Sequence, residues 1–367
     1  MEGKNKKHIA FHISSMVKAG AQRVVYNLMN YYLAEGYQVS LVTIYQGEDE
    51  YELDERIERI YSDLTEEELS NSRIANFYNR VKKLKQIWKQ IRPDAIVAFM
   101  GKTNMMALLS TIGMDIPVYV SVRSDPNREY YNSVLRFLSK NLFCRAAGVI
   151  VQTQDAYDYF PKRIKKKAKI LPNPLNPQFI RERFEGEREP EIVTVGRIDK
   201  NKNHIMLIQA FAAVAKHYPE FRVVLYGDGE EKEKLERQVR EMGLEERIVF
   251  AGVKTNTQDY LWKSRVFVLT SKVEGMPNVL LEAMALGLTV ISTDCPCGGP
   301  RTVIRHEKNG LLIPVDDVEA LEMAIRRVLD NPQFADELGK NAAQIGKDMA
   351  PDKVNRMWMD YIEQGMK

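Results

Sequence analysis

Residues 266–287 read VFVLTSKVEGMPNVLLEAMALG, and this stretch decides the fold. The apolar run Val266–Thr270 predicts a buried strand, and residues 279–285 predict a helix that a glycine-proline turn separates from it. Pro277 suits the first helical turn because its missing N–H is not needed there, and Gly287 can end the helix. A strand, a turn and a helix in this order are the repeating unit of a parallel α/β sheet.

Two glutamates flank this turn. Glu274 lies on the predicted loop after the strand, and Glu282 falls in the second turn of the helix. N–H groups at a helix start can receive a phosphate, and carboxylates accept hydrogen bonds from sugar hydroxyls. The pair therefore favours recognition of a sugar nucleotide. The alternative is two ordinary solvated glutamates at a helix start, where acids are favoured anyway.

The length of 367 residues exceeds one typical core and favours two domains. Strand and helix patterns alternate in both halves, which predicts two mainly parallel α/β sheets covered on both faces. Three prolines between Leu171 and Pro177 break regular structure and mark a linker. We predict an N-terminal domain over 1–172, a C-terminal domain over 173–350 and a final helix within 351–367 that can pack back on the first domain.

The predicted strands are short and mostly apolar. In the first half they are His8–Ile13, Gln38–Ile44, Ala95–Phe99, Val118–Val122 and Val149–Gln152. In the second half they are Ile192–Gly196, Phe221–Tyr226, Arg247–Gly252, Val266–Thr270 and Thr289–Thr293. We expect Asn203 to cap the helix that follows it.

Composition excludes several classes of protein. A hydrophobic fraction of 44% and a charged fraction of 28% are typical of a soluble globular chain. No run approaches the ~20 apolar residues that span a bilayer, and the charged start, Met1–Lys7, predicts no secretory signal. Cys144, Cys295 and Cys297 fit a reducing cytoplasm. Cys295 and Cys297 supply only two ligands where a closed zinc site needs four, so we expect no metal.

The chain resembles retaining glycosyltransferases of family 4 over nearly its whole length. The resemblance is carried by the runs GRIDKNKN at 196–203, GDG at 227–229, EGMPNVLLEA at 274–283, NGLL at 309–312 and AGAQR at 19–23. It implies a GT-B fold, with two doubly wound Rossmann-like domains facing across a cleft. It also implies transfer with retention at the anomeric carbon from a nucleotide sugar, UDP-linked by family frequency, without a metal or other cofactor.

The resemblance assigns roles to particular residues. Arg197 and Lys202, just beyond a strand end, would neutralise the departing diphosphate, and Glu274 would hold hydroxyls of the donor sugar; these three are the predicted catalytic residues. Glu282 would hold the ribose. The predicted donor-binding positions are Gly20, Gly196, Gly227, Gly275, Pro277, Asn278, Val279, Leu280 and Glu282. Lys254 is a candidate for the base pocket.

One position departs from the family pattern. Many relatives carry a histidine after the strand that matches Val118–Val122, whereas this chain has Arg123. A guanidinium stays protonated and cannot act as a general base at neutral pH. We expect Arg123 to hold a phosphate or an acceptor hydroxyl, oriented by Asp125; a structural salt bridge is the alternative. His12 is expected to be a buried strand histidine.

A predicted basic helix at 73–92 bears on the acceptor. Lys82 and Lys85 lie on it with interleaved apolar residues, and the run Lys162–Lys167 adds charge. Such a helix can meet anionic lipid or a diphosphate-linked acceptor, or it can simply pack its apolar stripe on its own sheet. No nucleic-acid motif accompanies the charge. The first half resembles bacterial enzymes that extend polyprenyl-diphosphate-linked oligosaccharides, including N-acetylgalactosaminyltransferases.

That resemblance implies a lipid-linked glycan acceptor and a place in the cytoplasm, at the inner face of the cytoplasmic membrane. Two other interpretations remain open from the sequence. A nucleotide-sugar epimerase shares the two-domain architecture, and a non-catalytic nucleotide-sugar-binding protein would use the same donor site.

Overall fold

The structure is a computed structural model that describes residues 6–366. The chain divides into two compact units. The first unit comprises the described residues up to Pro174 and from Asp352 onward, and the second is Leu175–Pro351. The ends of the domain ranges predicted from the sequence, residues 1–5 and Lys367, lie outside the described residues.

The first unit is built on a seven-stranded parallel sheet in the order β3-β2-β1-β4-β5-β6-β7. Its strands are β1 (His8–Ile13), β2 (Gln38–Thr43), β3 (Glu58–Tyr61), β4 (Ala95–Phe99), β5 (Val118–Ser121), β6 (Gly148–Val151) and β7 (Ala168–Ile170). Its helices up to the linker are α1 (Gly20–Ala34), α2 (Arg73–Ile91), α3 (Gly101–Ser110), α4 (Pro126–Glu129), α5 (Ser133–Leu142), α6 (Gln154–Asp158) and α7 (Lys162–Lys165). Every residue of β1 and β4 is buried, as expected for central strands covered on both faces.

The second unit is built on a six-stranded parallel sheet in the order β10-β9-β8-β11-β12-β13. Its strands are β8 (Glu189–Val195), β9 (Arg222–Tyr226), β10 (Ile248–Gly252), β11 (Ser264–Leu269), β12 (Thr289–Thr293) and β13 (Leu311–Ile313). Its helices are α8 (His204–Val214), α9 (Lys232–Glu241), α10 (Thr257–Leu261), α11 (Asn278–Ala285), α12 (Gly299–Val303), α13 (Val318–Asp330), α14 (Pro332–Ala342) and α15 (Ile345–Asp348).

Alternate residues of the second sheet enter two different cores. Ile192 and Val223 join the core that contains Phe211 of α8. Val193 and Phe267 join the opposite core, which contains the buried residues of α11. Side chains alternate along a strand, so neighbouring residues of each strand point into opposite cores, and one of these cores is the one that α11 packs against.

The last helix, α16 (Pro351–Glu363), belongs to the first unit from Asp352 onward. The indole of Trp358 stacks on Phe99 with ring centroids 5.8 Å apart, and its Nε1 donates to the carbonyl of Pro172 at 3.0 Å. The hydroxyl of Tyr361 donates to the carbonyl of Lys167. These contacts attach α16 beside β4 and the residues that precede the linker.

The two predicted parallel α/β sheets are confirmed, and the structure adds three short strands, β3, β7 and β13. The expectation for Asn203 was wrong. Its backbone is left-handed, and its side chain makes no cap but donates from Nδ2 to Asp316 Oδ1 at 2.9 Å. Among residues 6–366, no helix combines the length and the apolarity needed to cross a bilayer.

Candidate functional site

Two glycine loops lie side by side beyond the carboxyl ends of β8 and β9. The N–H of Gly196 donates to the carbonyl of Tyr226 at 3.0 Å, and the N–H of Ile198 donates to the carbonyl of Asp228 at 2.8 Å. A Cβ on Gly227 would stand 1.9 Å from the carbonyl oxygen of Gly196. Gly227 therefore has no room for a side chain, which explains physically why a glycine follows this strand.

The loop between β8 and α8 is shaped by Asp199. Its Oδ1 accepts the N–H groups of Asn201 at 3.0 Å and Lys202 at 2.9 Å. Asn201 then reaches the loop after β11, because its Nδ2 donates to the carbonyl of Val273 at 3.0 Å. The hydroxyl of Thr270 donates to the carbonyl of Lys202 at 2.9 Å. The two loops are thus fastened together by side chains on both.

This fastening brings two of the predicted catalytic residues into contact. Lys202 Nζ lies 2.6 Å from Glu274 Oε1, and the hydroxyl of Ser271 donates to the same oxygen at 2.7 Å. The side chains of Lys202 and Glu274 are 20% and 13% exposed. An ammonium carries three donors, so Lys202 can bind an anion while it keeps Glu274. A cation of the kind that binds phosphate therefore lies beside a carboxylate of the kind that binds hydroxyls.

Arg197, the third predicted catalytic residue, is held loosely. Its side chain is 74% exposed, and its Nε lies 3.6 Å from Asp199 Oδ2. An exposed ion pair of this kind contributes little to stability. The guanidinium therefore costs little to redirect toward a ligand phosphate.

The turn before α11 rests on a second loop, Cys295–Gly299, that we did not predict as part of the site. The N–H of Glu274 donates to the carbonyl of Pro296 at 2.7 Å, and the N–H of Cys297 donates back to the carbonyl of Glu274 at 2.9 Å. A Cβ on Gly299 would lie 1.4 Å from the carbonyl oxygen of Gly275. The two consecutive glycines after Cys297 are the feature of the sequence from which this close approach could have been predicted.

The predicted helix after this turn is confirmed as α11, with Pro277 just before its first residue and Gly287, at φ 72°, just beyond its end. The N–H of Leu280 donates to the carbonyl of Pro277 at 3.1 Å, so this predicted phosphate donor is already used within the helix. The N–H groups of Asn278 and Val279 belong to the first turn of α11, the part of a helix that can receive an anion. Glu282 lies in the second turn and is 3% exposed.

Lys254 was a candidate for the base pocket. It lines a cavity of about 400 Å³ in the second unit, with its Nζ 5.8 Å from the centre of the Tyr260 ring. Glu189 and Glu191, near the amino end of β8, line the same cavity. The cavity thus extends along the sheet away from the glycine loops, and the role of Lys254 toward a base stays a prediction.

In the first unit, Gly20 is the first residue of α1, directly after β1 and its loop. Ala19 precedes it and supplies no side-chain cap, and the first turn of α1 holds no acidic residue. This is the arrangement of a helix start that can receive an anion, and Gly20 lets a ligand approach the backbone closely.

Arg123 stands after β5 in a cage of aromatic and amide groups. Its guanidinium lies 5.8 Å from the ring centre of Phe99 and 5.6 Å from that of Trp358. It donates to Asn173 Oδ1, and at 3.5 Å to the hydroxyl of Ser121. Burial lowers the pKa of Arg123 below its usual range, to about 9, which leaves it charged at neutral pH.

The expectation that Asp125 orients Arg123 was wrong. Asp125 Oδ1 accepts from the N–H of Asn127 at 2.9 Å and caps α4. A different carboxylate, which we did not predict, belongs to this region. Both oxygens of Glu129 are shielded from water beside the N–H groups of Gly101 and Arg123. Burial raises the pKa of Glu129 above its usual range, and the positive charge of Arg123 opposes that shift.

His12 is a fully buried strand histidine, as predicted. Its Nδ1 lies 2.9 Å from the carbonyl of Val42, and burial lowers its pKa to about 4, so the ring is neutral at neutral pH. On α2, Lys82 is exposed, whereas the Nζ of Lys85 donates to the carbonyl of Ile112 at 2.6 Å. The acceptor role predicted for these two lysines stays a prediction.

Within residues 6–366 there is no group of three or more His, Cys, Asp or Glu side chains that could hold a metal ion. Cys295 and Cys297 are both buried. Burial raises the pKa of the Cys295 thiol to about 12, so it is not a thiolate at neutral pH.

Glycine loops, an ion pair and a helix start at the carboxyl ends of parallel strands are typical of nucleotide-binding α/β proteins. Residues 176–345 match the family model "Glycosyl transferases group 1", and residues 19–179 match the model "Glycosyltransferase Family 4". The two matches together extend from residue 19 to residue 345. The chain belongs to the family 4 glycosyltransferases, and it is therefore an enzyme of the glycosyltransferase class.

Three similar proteins illustrate this placement. A Campylobacter jejuni protein named as an α-1,4-N-acetyl-D-galactosaminyltransferase acting on a GalNAc-containing glycan of PP-undecaprenol is 29% identical over 363 residues, which cover 97% of this chain and 98% of that one. An amylovoran biosynthesis glycosyltransferase of Erwinia amylovora is 24% identical over 350 residues, 94% and 95% of the two chains. The crystal structure of Anabaena HepE in complex with UDP matches with a TM-score of 0.81 at 17% identity and covers 98% of this chain and 100% of that chain. The last similarity shows the fold, which is GT-B.

Proposed function

We propose that this enzyme transfers a hexose or N-acetylhexosamine from a UDP-sugar to a hydroxyl of a polyprenyl-diphosphate-linked glycan, with retention at the anomeric carbon. The acceptor class is supported by the name of the Campylobacter relative, and a role in cell-surface polysaccharide by the Erwinia relative. The choice of UDP is supported by the similar HepE structure, which is a complex with UDP.

The observation that carries the proposal is the contact between Lys202 and Glu274 at 2.6 Å. It places a cation and a carboxylate beside the turn that starts α11. In the proposed complex, Lys202 and Arg197 offset the charge of the diphosphate, and the N–H groups of Asn278 and Val279 meet its oxygens. Glu274 accepts hydrogen bonds from the sugar hydroxyls, and Glu282 from the ribose.

The reaction itself needs orientation more than an added nucleophile. The acceptor oxygen forms a bond to the anomeric carbon as the bond from that carbon to the diphosphate oxygen breaks. The acceptor proton passes to the departing phosphate, on the same face of the sugar. Arg197 and Lys202 stabilise the charge that develops on the leaving group, and we assign this charge neutralisation to them rather than to a metal or another cofactor.

Arg123 is proposed to serve the acceptor side. The planar guanidinium lies beside the stacked rings of Phe99 and Trp358 as a positioned positive charge, and its buried Nε has no partner among the described residues. Such a group suits a hydroxyl or a phosphate oxygen. We place the enzyme in the cytoplasm, peripheral to the inner face of the cytoplasmic membrane where such acceptors are elongated, with no nucleic-acid partner.

The test is a transfer assay. The purified protein is incubated with UDP-GalNAc, UDP-GlcNAc, UDP-Gal or UDP-Glc and a short-chain polyprenyl-diphosphate glycan, and the product is measured by mass and by the anomeric coupling in its NMR spectrum. We expect one added sugar unit or more, α-linked, and about 10³-fold slower transfer with Lys202→Ala.

Two results would contradict the proposal. An epimerised UDP-sugar formed without acceptor would identify an epimerase. Full biological function in Arg197→Ala and Glu274→Ala variants that bind UDP-sugars but transfer no sugar would identify a binding protein without catalysis. Thermal stabilisation by UDP-sugars and not by GDP-sugars would separately fix the base.

A further inference from the structure

Helix α5 of the first unit exposes large apolar side chains. Val134 and Phe137 are 64% and 66% exposed, Leu138 is 38% exposed, and Tyr131, just before the helix, is 68% exposed. Spacings of three and four residues place Val134, Phe137 and Leu138 on one side of the helix. Ser139 on the other side is fully buried. We call Tyr131, Val134, Phe137 and Leu138 the α5 surface.

The charged residues of α5 are all positive. The helix reads SVLRFLSKNL and contains no acidic residue. Its two cations, Arg136 and Lys140, are four residues apart and lie on the side of the helix away from the apolar face, where Lys140 Nζ is 4.5 Å from the centre of the Tyr159 ring. An ordinary solvated helix face carries charges of both signs in place of clustered apolar groups. The α5 surface therefore has the character of an interaction surface.

A basic segment adjoins the end of α5. The guanidinium of Arg163, in α7, donates to the carbonyl of Lys140 at 3.0 Å and to Asn141 Oδ1 at 2.6 Å. This contact brings the run Lys162–Lys167 against the helix. Lys162 and Lys166 belong to this run. Both are exposed, and we call Lys162 and Lys166 the basic flank.

A second apolar group lies on the same side of the sheet. Ile74 and Tyr78, in the first two turns of α2, are 82% and 67% exposed. Helices α2, α3 and α5 connect β3 to β4, β4 to β5 and β5 to β6, which step in one direction across the sheet. Right-handed crossovers put such helices on one face, and α3 packs against both α2 and α5. Two exposed apolar groups on one face fit a planar partner.

We propose that the α5 surface inserts into the interface of an anionic lipid bilayer, with the basic flank at the headgroups and the start of α2 meeting the same bilayer. An apolar stripe with a basic segment at its end is complementary to acyl chains below anionic headgroups. The inference extends the proposed function and rests on it, because a polyprenyl-linked acceptor resides in a bilayer. It moves the main contact from the predicted basic helix, α2, to α5.

The test is cosedimentation with vesicles of phosphatidylglycerol and phosphatidylcholine in equal parts. We expect the double variant Val134→Glu/Phe137→Glu to lower the partition coefficient at least about tenfold, since two apolar contacts become charged. The matched control is Met323→Glu on α13 of the second unit, where the side chain is 59% exposed, and it should partition like the wild type. Lys162→Glu/Lys166→Glu should weaken binding roughly fivefold or more per cation at low salt.

The proposal would be overturned if the double variant had the same partition coefficient as the wild type. It would also be overturned if the wild type did not bind these vesicles. Light scattering gives the remaining outcome: a wild-type dimer that the α5 variant converts to monomers would assign the surface to a second copy and overturn the lipid assignment. Transfer to a water-soluble acceptor lacking the polyprenyl chain separates the two proposals. If the α5 variants keep that activity but no longer bind vesicles, both the proposed function and the bilayer contact are supported. If the wild type binds vesicles but neither it nor any variant transfers sugar, only the proposed function fails.

Discussion

The two units hold their key cations in different ways. In the second unit, Lys202 is paired with the carboxylate of Glu274, which also accepts a hydrogen bond from Ser271. In the first unit, Arg123 lies beside two aromatic rings that stack on each other, and it donates to the amide oxygen of Asn173. A carboxylate partner can exchange an ammonium donor for ligand hydroxyls, whereas an aromatic cage fixes the cation in place. We therefore expect the first arrangement to suit the proposed donor site, which is loaded and emptied, and the second to suit the proposed acceptor site, which only orients its ligand.

The largest expected effect comes from breaking the charged pair of the second unit. Lys202→Ala should lower kcat/KM about 10³-fold, because one preorganised cation facing the departing diphosphate is lost. Steady-state transfer kinetics measure this change. Lys200→Ala, an exposed neighbour on the same loop, is the matched control and should leave the rate unchanged. Comparable rates in the two variants would remove Lys202 from the mechanism.

A second test disrupts the packing of the turn that carries Glu274 and leaves the charged residues unchanged. In Gly299→Ala the new Cβ would meet the carbonyl oxygen of Gly275, so the two loops must separate. We expect a loss of about 3 kcal/mol in the free energy of unfolding, in the range for overpacked sites, together with weaker UDP binding. Urea denaturation and calorimetry give the two values. Gly346→Ala, where a Cβ meets nothing within 4 Å, should behave like the wild type.

A third test compares the units by pH. His12 in the first unit and His204 in the second are both buried, and burial lowers the pKa of each to about 4. The unfolded chain binds protons near pH 6.5 and the folded chain does not, so stability is complete above that pH and falls as pH drops toward 4. Each histidine should cost about 2 kcal/mol at a pH of about 4.5.

Hydrogen exchange at several pH values resolves this loss unit by unit. His12→Phe should flatten the pH dependence in the first unit only, and His204→Leu in the second only. A pH dependence that survives both substitutions would assign acid sensitivity to other groups.

The smallest expected effect is at the aromatic cage. Arg123→Lys keeps the charge but loses the planar face and the fixed fork of donors, and we expect kcat to fall about tenfold with the UDP-sugar dissociation constant unchanged. Arg145→Lys, an exposed residue of the same unit, is the control. Weaker donor binding in Arg123→Lys would show that the cage does not serve the acceptor side alone.

The same contrast explains what the sequence could predict. Apolar strands with glycine and proline turns indicated both central sheets, because a buried parallel strand needs an apolar run. The edge strands β3 and β7 escaped, since β3 reads ERIY with no buried residue and β7 is only three residues long. Lys202 and Glu274 were predicted to belong to one site because both stand in family motifs, but their ion pair was not predicted.

The surroundings of Arg123 were not predictable in that way. Phe99, Asn173 and Trp358 are far apart along the chain, and no local pattern links them to Arg123. Asp125 is the nearest carboxylate in the sequence, but its side chain caps the start of α4 and accepts the N–H of Asn127 instead. Glu129 reads as a surface acid, and only the packing at Gly101 buries it. Contacts that depend on tertiary packing leave no periodic signal in the sequence.

The most direct test of the central claim is a calorimetric titration of UDP into the wild type, Lys202→Ala and Lys200→Ala. The claim is that the pair of Lys202 and Glu274 marks the donor diphosphate site. We expect the wild type and Lys200→Ala to bind UDP with the same affinity, and Lys202→Ala to bind it at least about tenfold more weakly, because a charge-assisted contact to the diphosphate is removed. Equal affinity of Lys202→Ala and the wild type for UDP would contradict the claim.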